Sequence, residues 1–118
     1  MIEKTFAETF ANDWIAAWNR RDLNHILSHY TDDFTLSSPF IMERANEPSG
    51  MLRGKKAIGG YWMKSLMLRP NLKFELRAVF TGIDSVVIVY GRMDGRVGAE
   101  CFEFDATQKV CRSSAHYG

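Results

Sequence analysis

Long apolar runs are absent: no stretch of the chain approaches the ~20 residues needed to cross a bilayer, so no membrane partner is expected. Charge of one sign is lacking too. Fifteen Lys and Arg stand against 14 Asp and Glu, a formal net charge of +1, and the two signs are mixed along the chain. Without a basic stripe to follow a phosphate backbone, nucleic acid is not an expected partner. Cysteine is scarce. Cys101 and Cys111 fall in neighbouring predicted strands, but their parities relative to the apolar faces differ, so a disulfide would need a favourable register and both are read as reduced thiols. The first residues, MIEKTFAETF, lack the basic-then-apolar order of a signal peptide, and with reduced thiols they point to the cytoplasm. There is no repeat, low-complexity tract or linker, and 118 residues suit one domain over 1–118. The loosest stretch is Glu43 to Gly50, ERANEPSG, read as a loop.

What is present is regular. Phe6, Phe10, Trp14 and Trp18 recur every four residues, which places them on one face of a long first helix. After the turn Arg20-Arg21-Asp22, read as solvated, Asp22 caps a short second helix burying Leu23, Ile26, Leu27 and Tyr30. Asp32-Asp33 is expected to break that helix, and Phe34 to Ser38 reads as a strand ended by Pro39. A third helix is expected from Gly54 to Arg69, with Ile58, Tyr61, Trp62, Ser65 and Leu66 on one side. Its Gly59-Gly60 pair costs about 2 kcal/mol relative to alanine, which suggests close packing against another element.

The remainder alternates with period two. Leu72, Phe74, Leu76, Ala78 and Phe80 share one face of a predicted strand. Ser85 to Met93 is apolar on both faces, as a central strand or a dimer contact would be. Asp94-Gly95 marks a hairpin, Gly98 to Phe104 returns, and Val110 to Tyr117 closes the sheet. Within GAECFEFD, Glu100 shares parity with Phe102 and Phe104. If the rings face inward so does the carboxylate, and burial raises its pKa. A salt bridge to Arg92 or Arg112 is the competing reading. His25 and His29 stand four apart, a chelating spacing, but no third ligand is evident; they are read as solvated, and neither a metal nor a cofactor is expected.

The helix ending AAWNRRDL, the TDDF step into the first strand, the LRGKKAIGGYW helix start and the closing strands ECFEFDATQKV and CRSSAHYG resemble a known group over nearly the whole chain. They resemble the cone-shaped α+β family of nuclear transport factor 2, ketosteroid isomerase and the SnoaL-like polyketide cyclases. The resemblance implies a curved antiparallel sheet packed on three N-terminal helices, with a pocket at the wide end. In the isomerases an acid on the strand of Glu100 donates a hydrogen bond to the substrate oxyanion. Their catalytic base precedes the strand-ending proline, where this chain has Ser38, which cannot abstract a carbon-bound proton. Steroid isomerisation is therefore not expected, and Ser38 is left as an orienting hydroxyl. Trp14 stands where those enzymes have a catalytic tyrosine. Trp18, Phe34, Tyr61, Trp62, Phe102 and Tyr117 are the other candidate ligand contacts. Epoxide hydrolases of similar fold use an Arg flanked by two Asp; Arg92 and Asp94 match half of that set, and the last strand offers only Ser113, Ser114 and His116. Two functions compete. One is a pocket for a hydrophobic, carbonyl-bearing small molecule with Glu100 as its acid, and the other is a non-catalytic dimerisation or binding module. A homodimer through the sheet face is expected in either case.

Overall fold

The four-residue aromatic spacing folds as one long helix, α1 (Lys4–Asn19), in the computed structural model, which describes all 118 residues. Phe10, Trp14 and Trp18 are buried along its inner face. The chain turns at Arg21, which adopts a left-handed φ of 63°. Arg21 is not solvated as expected: its guanidinium donates to the carbonyls of Leu66 and Arg69 at the end of a later helix, satisfying acceptors that a helix terminus leaves free. Asp22 caps α2 (Leu23–Leu27) by accepting the His25 N–H at 3.1 Å.

Strand β1 (Tyr30–Ser37) begins earlier than the sequence pattern suggests. Tyr30 fits the helical spacing but pairs with Val110, so Asp32 and Asp33 lie inside the strand rather than breaking a helix. They occupy exposed positions where the register slips. Pro39 is also reassigned. Rather than only ending the strand, it opens a fourth helix, α3 (Pro39–Arg44), whose first turn tolerates a residue without N–H. Ser38 caps it, its Oγ accepting the Phe40 N–H at 3.2 Å. After a short β2 (Met51–Arg53) comes α4 (Lys55–Leu68). A Cβ on Gly59 would meet Leu27 Cδ1 at 3.3 Å, the expected close approach of α4 to α2, whereas Gly60 faces open space.

Strands β3 (Phe74–Thr81), β4 (Ser85–Arg92), β5 (Val97–Phe104) and β6 (Val110–Tyr117) complete an α+β fold. The sheet order is β2-β1-β6-β5-β4-β3, antiparallel except for the parallel pair β1–β6, so the sheet is mixed. Its inner face carries Val86, Ile88, Tyr90, Phe102 and Phe104 against the helices. In β3, Leu76 stands opposite Tyr90 and Ala78 opposite Val89, so Arg77 is an extra residue that bulges the strand. Parity reverses beyond it. Phe80, expected inside, is 59% exposed on the outer face, and Val79 takes the inner position opposite Ile88. Asn19 ties the end of α1 to the start of β3: its amide donates to the Phe74 carbonyl at 2.9 Å and accepts the Phe74 N–H at 2.7 Å. No helix is long and apolar enough to cross a membrane.

Candidate functional site

Between the helices and the open end of the sheet lies a cavity of about 330 Å³. Its walls follow from the aromatic spacing of α1. Trp14 and Trp18 stand one turn apart, Trp62 of α4 meets Trp18 edge-on at 5.3 Å, and Phe74 stacks on Trp14 at 5.9 Å. Tyr90 adds a further ring, seated directly over Gly98, where a Cβ would come within 2.8 Å of it. The indole N–H groups differ. Trp14 donates to the Tyr30 hydroxyl at 3.0 Å, while Trp18 Nε1 is buried with no partner.

Glu100 lies at the back of the cavity, 6% exposed. Ser113 Oγ donates to its Oε2 at 2.9 Å. Burial pushes the Glu100 carboxyl up to about 7, against the opposing effect of the Ser113 bond. Neither arginine considered from sequence neutralises it. Arg112 pairs with Glu103 at 3.5 Å, and Arg92 reaches Asp94 at 3.8 Å. Burial, then the charge of Glu100, raises the Tyr90 and Tyr117 phenols, keeping both as hydroxyl donors.

The mouth is aromatic and cationic. Phe40 and Tyr117 stack with centroids 4.4 Å apart. Arg44 lies 4.1 Å over Phe40, and Arg92 lies 5.0 Å over Tyr117. The Arg92 side chain is only 8% exposed, and its Nη1 has no hydrogen-bond partner. Among all the lining residues, Arg44, Arg69, Lys73 and Arg92 outnumber the acids Asp94 and Glu100. A guanidinium and a carboxyl whose pKa is raised to about 7, both among the lining residues, suit hydrogen bonds to ligand oxygens.

Of the residues selected from sequence, Glu100, Ser38, Trp14, Trp18, Tyr61, Trp62 and Tyr117 border this cavity. Phe34 and Phe102 do not. Both are fully buried: Phe34 packs on Tyr30 at 4.3 Å and Phe102 on Phe10 at 5.0 Å. Phe102 shares its face with Glu100 but lies two residues farther along β5, in the filled part of the core. Parity specifies a face and not a position along it. His116 is exposed opposite Ala99 on the outer face and stays out of the cavity. Asp94 is held by its turn, accepting the Arg96 N–H at 3.0 Å. Sequence reasoning missed Phe40, because α3 was not foreseen, and Tyr90, whose parity with Val86 and Ile88 would have revealed it. It also missed Asp13, whose Oδ2 lies 2.6 Å from Nε2 of both His25 and His29. The two histidines are thus not simply solvated.

Residues 11–114 match the SnoaL-like domain family. A SnoaL-like protein of unknown function from Burkholderia thailandensis is 47% identical, with a TM-score of 0.96 over 99% of this chain and 98% of that one. A candidate isomerase of the SnoaL-like family from Agrobacterium tumefaciens is 14% identical, with a TM-score of 0.77 over 97% of this chain and 98% of that one. TerC, co-crystallized with polyporic acid, is 15% identical, with a TM-score of 0.78 over 96% of this chain and 92% of that one. At the last two identities the likeness is one of fold alone. No curated protein matches the chain.

Proposed function

We propose that this chain, which belongs to the SnoaL-like family, binds a hydrophobic small molecule carrying a carbonyl or enolic oxygen, with Glu100 as the acid that meets that oxygen. The observation that carries this reading is an aromatic-walled cavity that has a buried, protonatable carboxyl, Glu100, and the guanidinium-bearing Arg92 among its lining residues. A volume of about 330 Å³ is at the small end of the range for small-molecule sites. The cationic mouth favours a ligand with negative charge or one that acquires it. The co-crystal of TerC with polyporic acid supports a small-molecule site in this fold.

As a proton donor, Glu100 would protonate or hydrogen-bond the carbonyl oxygen while Arg92 meets the charge developing there, the arrangement that lowers the barrier to enolisation in isomerase and cyclase chemistry. Ser38 is no base for such a step; its oxygen caps α3. Steroid-type isomerisation is not proposed.

A homodimer through the outer sheet face accompanies this reading. Phe80 is 59% exposed there, beside the half-buried Val87 and Val89, an apolar surface that a second copy would cover.

Calorimetric titration with 2-hydroxy-1,4-naphthoquinone, a compact enolic ketone, tests the binding reading. Saturable binding that weakens roughly tenfold in Arg92→Gln, as loss of a charged hydrogen bond predicts, is the expected result. No binding at millimolar probe, or equal binding by the variant, would reject it.

A further inference from the structure

A second cluster of functional groups lies where α1 meets α2, outside the cavity lining. Asp13 projects from α1, His25 from α2, and His29 from the turn just before β1. Nε2 of each histidine sits 2.6 Å from the same carboxylate oxygen, Asp13 Oδ2. The two rings stand edge-to-face with centroids 5.6 Å apart. All three donor atoms lie within 4.8 Å of one another.

We propose that Asp13, His25 and His29 form a binding site for a divalent transition-metal ion of the zinc type. Two imidazoles and one carboxylate facing a common point are a first-row metal donor set; magnesium and calcium favour oxygen ligands throughout. Zinc bonds of about 2.0–2.1 Å in a tetrahedron space the donors about 3.3 Å apart. The Asp13 oxygen therefore has to retreat by about 0.7 Å from each ring nitrogen, and its 38% exposed side chain has the freedom to do so. Side-chain exposures of 39% for His25 and 22% for His29 leave the remaining coordination position open to water.

The ligands are held in place by contacts independent of a metal. Asp22 caps the His25 N–H at 3.1 Å, the Val110 N–H donates to the His29 carbonyl at 2.8 Å, and Phe10 packs edge-on against the His29 ring at 5.1 Å. A bound ion would replace the proton-mediated bonds to Asp13 and clamp α2 onto α1.

Titration of the full chain with Zn²⁺ near neutral pH, in a Cys111→Ser background that removes the exposed thiol as a competing ligand, tests the site. Calorimetry is expected to show one equivalent bound. Nitrogen NMR is expected to show both Nε2 resonances of His25 and His29 moving on addition of Zn²⁺, a readout that needs no variant of the ligands. His29→Gln and Asp13→Asn, checked for native circular dichroism, are expected to lose roughly tenfold or more in affinity, while His116→Gln on the outer face keeps it. Absence of heat and of Nε2 shifts up to millimolar Zn²⁺ would reduce the trio to a hydrogen-bond clamp and overturn the proposal. Undiminished binding by the His25→Gln, His29→Gln double variant would overturn it equally.

Discussion

Glu100 couples burial to protonation. In the native chain its carboxyl is pushed up to about 7 by burial, against a reference value of 4.5. The native state thus holds this proton more tightly than the unfolded chain. Its contribution to stability is fully present below about 4.5 and is lost as pH rises toward about 7, a change on the order of 3 kcal/mol. Glu100→Gln, which can still accept the Ser113 hydroxyl, is expected to flatten that part of the pH profile. Urea unfolding of both proteins across the window checks this, and equal slopes would show that Glu100 does not carry the effect. The inward aim of Glu100 was legible from its parity with Phe102 and Phe104. Its partner was not, because pairing Glu100 with Ala115, and so bringing Ser113 within reach, depends on the β5–β6 register. Likewise, His25 and His29 were visible as a pair, but Asp13 joins them only once the chain has turned at Arg21.

At the scale of elements, helix termini and strand starts hold the walls of the cavity. Asn19 supplies both a donor and an acceptor to Phe74, which stacks on Trp14 in the cavity wall. Asn19→Ala leaves the Phe74 N–H and carbonyl without this partner and is expected to cost about 1–3 kcal/mol. A lower midpoint in urea with an unchanged slope would record it; an unchanged midpoint would mean that water replaces the amide. The long helix α1, the α4 segment and the β3-to-β6 meander were readable because each repeats its period over many residues. Short α3 and β2 were not. Pro39 is compatible with a strand end and with a helix start, and only the Ser38 cap and the pairing of β2 with β1 separate the two. The Arg77 bulge was equally hidden, since an unbroken alternation of apolar residues runs straight across it.

For the whole molecule, the outer sheet face is where assembly is expected. Phe80→Glu places a charge in the middle of the apolar outer strip. If two copies pair there, burying that charge costs several kcal/mol, and the variant is expected to sediment as a monomer at concentrations where the wild-type chain is dimeric. Analytical ultracentrifugation of the two proteins decides it. A wild-type chain that stays monomeric at tens of micromolar would contradict the dimer.

By itself the sequence determined the fold class, the inward aim of Glu100 and the aromatic character of the cavity, because period four along α1 and period two along the strands are local properties that side-chain burial enforces residue by residue. The tertiary structure alone decided which inward residues meet empty space and which meet one another. Phe102 and Glu100 share a face and differ only in what stands opposite, packed rings for one and the cavity for the other. Arg92 finds itself buried between Tyr117 and Asp94 with a free donor, and Asp13 finds two histidines, through contacts between residues distant in the chain. Those contacts depend on register, bulges and turns, which no single segment encodes.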